Sequence, residues 1–258
     1  MDRVTRWTAL VLAGSRPGPD AFAASMGTDL KALIPVAGEP MVVRPVRALL
    51  AAPEIAAVRV LAQQPERIAA VLPADPRLTV APSRGTIAET VRAICADPAT
   101  AWPLLITTAD HALLSPAMIA EFCAHAGGAD VAIGVVERAT LQKRLPQSQR
   151  TWIKFRGGAY SGANLFILRS PSVAPALEQW RAVEQDRKKA LALLWSLGPS
   201  LFLGAALRLR TLAETLHRVS LKLHVAIHAV ALSDGLAAVD VDKPADHILV
   251  EAIIAGRA

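Results

Sequence analysis

Short apolar runs alternate, along most of this chain, with segments in which apolar residues recur at helical spacing. Runs of this length, rich in Val, Leu and Ile, predict strands that are buried on both faces of a sheet. The predicted strands lie at 7–13, 56–62, 78–82, 102–110, 130–137 and 163–169. The predicted helices lie at 41–51, 65–72, 86–96 and 116–126. This alternation predicts an α/β fold with a mostly parallel sheet and helices on both faces, which binds ligands at the carboxyl ends of its strands.

The composition is that of a folded protein with a sizeable core. Of the 258 residues, 53% are hydrophobic and the mean hydropathy is +0.36, which excludes disorder for most of the chain. Cys95 and Cys123 each lie in an apolar, helix-like context without a CxxC partner. They are predicted to be buried thiols, because this spacing supports neither a disulfide framework nor a structural zinc site. The N-terminus shows no signal-peptide pattern, and we expect a cytoplasmic protein.

The charge balance favours an anionic ligand. The formal net charge is +6 and the sequence pI is about 9.8, which suits nucleotides, nucleic acids or anionic lipid surfaces. Nucleic acid is the weaker choice, because the basic residues are spread along the chain and no basic stripe is interleaved with aromatic residues. An arginine-rich surface without a ligand is the alternative interpretation.

Some segments depart from the simple alternation. Residues 138–160 are polar, basic and poorly periodic, which predicts a functional loop or lid. Residues 172–232 are predicted to be mostly helical, as an added C-terminal helical segment. The closing stretch 234–254 predicts a short strand followed by a terminal helix that begins near Pro244.

One apolar run stands out inside the predicted helical segment. Residues 190–207 carry no charge, and their length is just that of a membrane span. The run is interrupted by Gly198-Pro199-Ser200, which predicts two buried helix halves around a turn. Contact with a membrane surface is the alternative. The basic cluster before this run is predicted to be either a solvated helix end or a contact for an acceptor phosphate, and it comprises Arg187, Lys188 and Lys189.

The loop after the first predicted strand has the chemistry of a phosphate site. It reads Leu12-Ala13-Gly14-Ser15-Arg16 and is followed by Lys31 in the segment KALIPVAGEP. Small residues let backbone N–H groups approach a triphosphate, while arginine and lysine neutralise its charge. The loop is neither a GxGxxG nor a Walker motif, so a surface turn rich in Gly and Pro remains open.

Acidic residues follow two other predicted strands. Asp110 lies where the strand 102–110 gives way to a loop, and a carboxylate there can hold Mg²⁺ between phosphate oxygens. A helix cap is its alternative role, and His111 is predicted to be a loop histidine. Asp240 and Asp242 alternate along the chain, so only one of them is expected to share a site with Asp110. The alternative role for this pair is solvation of a strand end. Asp246 would then interact favourably with the dipole of the terminal helix.

Together these segments resemble the MobA-like NTP transferase family, which includes molybdenum-cofactor guanylyltransferase and sugar- and polyol-phosphate nucleotidyltransferases. LVLAGSRPG with KALIPVAGEPMV is similar to the family's opening signature. ITTADHALLSP is similar to its acidic metal-binding segment, and VDVDKPADH to its closing acidic motif. SRGTIAE is similar to its base-recognition stretch and YSGANLFIL to its strand near the acceptor. The resemblance covers most of 7–170 and 239–254.

The resemblance implies a Rossmann-like sheet of the GT-A type, in a single domain over 1–258 with a helical insertion at about 172–232. It implies a Mg²⁺-dependent enzyme that moves a nucleoside monophosphate from CTP or GTP to a phosphorylated sugar, polyol or cofactor and releases pyrophosphate. The implied catalytic residues are Arg16, Lys31 and Asp110. The implied ligands of Mg²⁺ are Asp110 and Asp242. The implied nucleotide-binding residues are Leu12, Ala13, Gly14, Ser15, Arg16, Lys31, Gly85 and Thr86. The implied acceptor-binding residues are Lys154, Gly162 and Asn164.

Other functions remain open. A glycosyltransferase of related topology would carry an Asp-x-Asp metal motif, whereas Asp110 is followed by His111 and Ala112. Ser15 and Ala112 depart from the family pattern, which would suit a non-catalytic nucleotide-binding protein, while Lys31, Asp110 and Asp242 favour an enzyme. The choice of base, the acceptor, and whether the protein is a homo-oligomer are left open.

Overall fold

The fold is described from a computed structural model, which covers residues 6–14, 18, 20–148, 150–185 and 208–257. Within these residues eight strands form one sheet, and two short strands form a separate hairpin. The sheet strands are β1 (Trp7–Leu12), β4 (Ile55–Ala62), β5 (Leu78–Pro82), β6 (Leu104–Thr108), β7 (Val131–Glu137), β8 (Ile153–Phe155), β9 (Gly158–Leu168) and β10 (Ile227–Ala231). The hairpin strands are β2 (Pro35–Val36) and β3 (Glu39–Pro40).

The sheet has the order β10-β7-β9-β6-β1-β4-β5, and β8 pairs with β9. Strand β1 is parallel to both β4 and β6, β4 is parallel to β5, and β7 is parallel to β10. Strand β9 lies antiparallel between β6 and β7. The prediction of a mostly parallel sheet in an α/β fold is therefore confirmed.

The described helices connect these strands or flank them. They are α1 (Ala21–Ser25), α2 (Val43–Ala51), α3 (Pro65–Ala69), α4 (Ile87–Cys95), α5 (Pro116–His125), α6 (Arg138–Arg144), α7 (Ala174–Gln185), α8 (Leu212–Leu223) and α9 (Pro244–Ile254). Helix α5 begins as its sequence predicts, because Ser115 accepts a hydrogen bond from the amide of Met118 and Pro116 occupies the first turn.

Strand β1 packs against both layers of helices. Ala9 and Val11 belong to the apolar cluster that includes α2, α5 and α9. Leu10 and Leu12 belong to the opposite cluster, with α4 and α7. Side chains alternate between the faces of a strand, so a strand that is apolar throughout is buried on both faces. Burying one such leucine contributes about 2 kcal/mol to the free energy of unfolding.

The predicted lid at 138–160 is more ordered than expected. It contains α6 and β8, and β9 begins within it. Leu141 of α6 is buried, and its Cα would lie 2.7 Å from a Cβ at Gly235. A glycine therefore lets the 3-10 turn Gly235–Ala238 approach α6 closely. The polar, basic sequence obscured a helix because only one of its residues is buried.

The C-terminal part also differs from the prediction. Within 172–232, which was predicted to be mostly helical, the structure has strand β10 in parallel pairing with β7. Pairing with β7 makes this short stretch a strand at the edge of the sheet. The local spacing of apolar residues does not reveal a partner so distant in sequence. The predicted strand before α9 is wrong. Residues 239–242 follow the 3-10 turn and are held to Asp110 by a single backbone hydrogen bond from Val241.

No helix in the described ranges is long and apolar enough to cross a membrane. The run 190–207 and the basic residues 187–189 lie outside the described residues.

Candidate active site

A cleft of about 670 Å³ opens at the carboxyl ends of β1 and β6. This is the edge of the sheet at which a mostly parallel α/β fold is expected to bind ligands. The cleft is lined by Leu12, Ala13, Gly14, Gly18, Asp20, Ala21, Lys31, Ala32, Met41, Ile87, Thr108, Ala109, Asp110 and Asp242. Most of the predicted nucleotide- and metal-binding residues that the structure describes thus lie around one cavity.

The loop after β1 forms one wall of the cleft. Leu12 and Ala13 are nearly buried, while Gly14 is exposed. The amide of Ala13 donates to the carbonyl of Leu61, which continues the pairing of β1 with β4 beyond the end of the strand. Ser15 and Arg16, which were predicted to contact the triphosphate, lie outside the described residues.

Lys31 lies between two carboxylates in the cleft. Its Nζ is 2.7 Å from Oδ2 of Asp110 and 2.6 Å from Oδ1 of Asp242. Burial alone would lower the pKa of Lys31, but the charges and hydrogen bonds of Asp110 and Asp242 outweigh it, and the pKa is raised. Lys31 is therefore a fixed positive charge beside two acidic groups.

Asp110 is held from several directions. The hydroxyl of Thr108 donates to its Oδ1 at 2.5 Å, and its backbone carbonyl accepts from the amide of Val241 at 3.0 Å. The loop that follows is held by Arg44, whose Nε donates to the carbonyl of Ala112 at 2.9 Å. The Asp110 side chain is 19% exposed and that of Asp242 is 62% exposed. One carboxylate is thus fixed in the wall of the cleft and the other faces solvent.

The donor set of the cleft suits Mg²⁺. In the ranges that the structure describes, no group of three or more His, Cys, Asp or Glu side chains is arranged to hold a metal ion. Mg²⁺ does not need such a group, because it is commonly bound by one or two carboxylates together with substrate phosphates and water. Asp110 and Asp242 supply that number of carboxylates, so these residues fit a metal that enters with a triphosphate.

Asp240 and Asp242 have different partners, as their alternation predicts. Asp240 accepts hydrogen bonds from Arg150 at 2.6 Å and from Asn164 at 3.1 Å, whereas Asp242 contacts Lys31. Burial raises the pKa of Asp240, the charge and hydrogen bond of Arg150 oppose this, and the charges of Asp242 and Asp110 add to it. Asp242 is the one that shares the cleft with Asp110.

His111 is a core residue despite its place in a loop. It is 1% exposed, and its Nδ1 lies 3.3 Å from the hydroxyl of Thr107. Burial lowers its pKa to about 4. A neutral, enclosed imidazole of this kind supports the loop behind Asp110, and His111 does not line the cleft.

Gly85 and Thr86 build the start of α4. The hydroxyl of Thr86 accepts from the amide of Glu89, and the Glu89 carboxylate accepts from the amide of Thr86, which is a capping box. Gly85 has a positive φ of 54°, and a Cβ there would overlap the Glu89 carboxylate. Neither residue lines the cleft, whereas Ile87 does. Their predicted contact with the base stays a prediction.

The predicted acceptor residues lie on the β8–β9 hairpin and outside the cleft lining. Lys154 is exposed on β8, and Gly162 lies on β9. Asn164, also on β9, donates a hydrogen bond to Asp240, which does not line the cleft either. Their roles in acceptor binding stay predictions.

Two residues that hold acidic side chains in or behind the cleft were missed by sequence reasoning. Thr108 orients Asp110 from the last position of β6, and its place two residues before Asp110 was the available signal. Arg150 belongs to the basic stretch predicted as a lid, and its partner Asp240 is 90 positions away. No local pattern indicates that pairing.

A second cavity, of about 610 Å³, lies between α5, α8 and β10. Its lining includes His125, His217 and His228 but none of the cleft carboxylates. The cleft at β1 and β6 is therefore the candidate active site.

Known structures show the same fold. A hypothetical transferase from Thermus thermophilus is 30% identical with a TM-score of 0.79, over 94% of this chain and 100% of that one. A 4-diphosphocytidyl-2C-methyl-D-erythritol synthase from Anaerococcus prevotii is 9% identical with a TM-score of 0.58, over 98% and 97% of the two chains. A CMP:2-keto-3-deoxy-manno-octonic acid synthetase solved with CTP is 14% identical with a TM-score of 0.58, over 98% and 100%.

The family model and the fold place the chain among the nucleotidyltransferases. The sequence pattern of the MobA-like NTP transferase domain matches residues 9–198, and the chain belongs to this family. The resemblance stated from the motifs is thus confirmed. No curated protein matches the chain in a sequence search.

Proposed function

We propose that this protein is a Mg²⁺-dependent nucleotidyltransferase that moves a nucleoside monophosphate from CTP or GTP to a phosphorylated small molecule, such as a sugar, polyol or cofactor phosphate. The observation that carries the proposal is the cluster of Lys31, Asp110 and Asp242 in the cleft. A cation beside two carboxylates offers contacts both to a triphosphate and to the metal that accompanies it. Residues 1–258 act as one domain in this proposal.

The reaction is an in-line displacement at the α-phosphorus. An oxygen of the acceptor phosphate forms the new P–O bond, the bond to the β-phosphate oxygen breaks, and pyrophosphate leaves with the electron pair. The acceptor phosphate is already ionised near neutral pH, so no strong general base is needed. Catalysis then depends on positioning and charge neutralisation.

Each residue of the cluster has a defined task in this mechanism. Lys31 donates to phosphate oxygens and offsets the negative charge that develops on pyrophosphate, and Arg16 assists it. Asp110 and Asp242 would hold Mg²⁺, which supplies further neutralisation of the phosphates when bound. Thr108 keeps the Asp110 carboxylate oriented through its hydrogen bond.

The loop after β6 argues against a nucleotide-sugar-dependent glycosyltransferase. Such an enzyme would place a second carboxylate two residues after Asp110, where this chain has Ala112. The intervening His111 is buried behind the loop. A metal site in this cleft therefore needs Asp242 from the far end of the chain.

Thermal shift with each NTP and Mg²⁺ tests the proposal, because a ligand that binds the folded state stabilises it by mass action. We expect CTP or GTP to raise the Tm selectively. Asp110→Asn should abolish the Mg²⁺-dependent part of the shift. The matched control is Asp75→Asn, which removes a carboxylate paired with Arg77 outside the cleft. No shift with any NTP would contradict the proposal.

A further inference from the structure

Asp240 is a mostly buried carboxylate behind the cleft, and both of its oxygens accept hydrogen bonds. Oδ1 accepts from Nη2 of Arg150 at 2.6 Å, and Oδ2 accepts from Nδ2 of Asn164 at 3.1 Å. The side chains of Arg150 and Asp240 are only 18% and 16% exposed. The guanidinium of Arg150 is held by this ion pair with Asp240, and its Nε has no hydrogen-bond partner in the described residues.

Stability alone is a poor reason for such a pair. Removing two charges from water carries a large desolvation cost, and apolar residues of similar size often replace a buried ion pair without loss of stability. A carboxylate held at both oxygens is nevertheless fixed in position and direction. The main effect of this arrangement is therefore to fix the position of the Asp240 carboxylate, not to stabilise the fold.

The backbone at Asn164 is shaped for this contact. Asn164 has a φ of 47°, in the left-handed region, where asparagine is tolerated better than most residues. The pairing of β9 with β7 shifts register between Ile133 and Val135, close to this point. Irregularities of this kind change the direction of a side chain and are frequent next to functional sites. Here the side-chain amide of Asn164 donates to Asp240.

Asp240 is joined to Asp242 by a short, anchored piece of backbone. The amide of Val241, the residue between them, donates to the carbonyl of Asp110 at 3.0 Å. The amide of Asp242 itself donates to Asp246 at 3.2 Å. Asp240 and Asp242 therefore share one short segment, whose position is set by these backbone hydrogen bonds together with the contacts of the Asp240 side chain.

We propose that Arg150 and Asn164 are positioning residues, which hold Asp240 and thereby set the distance between the Asp242 and Asp110 carboxylates that receive the divalent cation. They act through Asp240 and do not contact the substrate or the metal. This inference rests on the proposed function, because it concerns the metal site of that reaction. It also assigns a role to Asn164 different from the predicted contact with the acceptor.

The test compares metal affinity with nucleotide affinity in Arg150→Met, Arg150→Lys and wild type. Mn²⁺ binding is measured by electron paramagnetic resonance with the NTP that gives the largest thermal shift. NTP binding without metal is measured by calorimetry. We expect Arg150→Met to weaken Mn²⁺ binding about tenfold, the lower end of the effect of losing a residue that supports a metal ligand. Metal-free NTP affinity should change less than about twofold, and Arg150→Lys should recover part of the Mn²⁺ affinity.

Arg156→Met is the matched control, because Arg156 also makes an arginine–carboxylate pair, with Glu214, but on the exposed surface. It should leave Mn²⁺ affinity unchanged. Asn164→Gly provides a second variant should Arg150→Met fold poorly, because glycine accepts the positive φ and only the amide is lost. It should weaken Mn²⁺ binding in the same direction.

The outcomes separate the two proposals. If Arg150→Met and Asn164→Gly bind Mn²⁺ as tightly as wild type, the positioning role is wrong and the proposed function stands. Equal losses of Mn²⁺ and metal-free NTP affinity also overturn it, because they indicate general damage to the cleft. Wild-type protein that binds neither an NTP nor Mn²⁺ contradicts the proposed function and this inference together.

Discussion

The ammonium group of Lys31 lies 2.7 Å from the Asp110 carboxylate, although the two residues are 79 positions apart in the chain. The same group is 2.6 Å from Asp242. Lys31 thus stands between the carboxylates where a divalent cation would be received. In the proposed function, metal and lysine would compete for the same negative charge until phosphates are present to accept hydrogen bonds from the lysine.

This competition predicts an unusual effect of Lys31→Met on metal binding. Without nucleotide, the variant should bind Mn²⁺ more tightly than wild type, by about tenfold or more, because an internal positive charge has been removed at close range. Mn²⁺ titration followed by electron paramagnetic resonance measures this. Lys31→Met combined with Asp110→Asn is the control and should lose the gain. Weaker Mn²⁺ binding in the single variant would show that Lys31 does not compete with the metal.

The same substitution should have the opposite effect on turnover. Lys31→Met is expected to lower kcat by about 10²-fold or more, the usual cost of removing a group that stabilises transition-state charge. Release of pyrophosphate by the wild-type enzyme and the variant, with the NTP identified by thermal shift, is the measurement. Lys154→Met, on the exposed β8, is a useful comparison, since its loss should act on the KM of the acceptor. Full activity of Lys31→Met would remove Lys31 from the mechanism.

Asp110→Asn and Asp242→Asn should weaken the binding of Mg²⁺ to different degrees. Asp110 is fixed by Thr108 and mostly buried, whereas the Asp242 side chain is 62% exposed. We expect both variants to raise the Mg²⁺ concentration needed for half-maximal activity, with the larger effect from Asp110→Asn because a pre-oriented ligand loses less entropy on binding. A Mg²⁺ titration of initial rates measures this. Unchanged Mg²⁺ dependence in both variants would rule these carboxylates out as metal ligands.

Burial of His111 predicts a loss of stability in mild acid. Its pKa is lowered to about 4 by burial, from an ordinary value of 6.5. Between these values the unfolded chain binds a proton that the folded protein does not, so the free energy of unfolding falls as the pH drops below 6.5. From about pH 7.5 to about pH 5 this group should account for a loss of about 2 kcal/mol. Urea unfolding of wild type and His111→Gln should show a smaller loss in the variant, and equal losses would contradict the prediction.

Gly85→Ala should destabilise the fold, by about 1–3 kcal/mol, because a side chain at positive φ is strained and the new Cβ would displace the Glu89 cap. Gly128→Ala is the matched control, since a Cβ there meets nothing within 4 Å and its φ is not positive. Chemical unfolding compares the two. Loss of NTP binding in Gly85→Ala without a change in stability would instead favour the predicted contact with the base.

The sequence by itself determined the class of fold and most of the strands. Apolar runs such as Leu10–Leu12 and the capped start of α5 are local signals, because periodicity and capping depend on neighbours within one element. The motifs around Gly14, Lys31 and Asp110 indicated the family for the same reason. Strand β10 and helix α6 escaped prediction because each is short and is stabilised by a partner that is distant in sequence.

Only the tertiary structure decided the contacts that these residues make. Asp242 contacts Lys31 from 211 positions away, and Asp240 contacts Arg150 from 90 positions away. Spacing along a chain carries no information on which strand ends become neighbours in a sheet. That order, with β9 inserted antiparallel between β6 and β7, places Asn164 beside Asp240. Folding, not local pattern, therefore built the charge network behind the cleft.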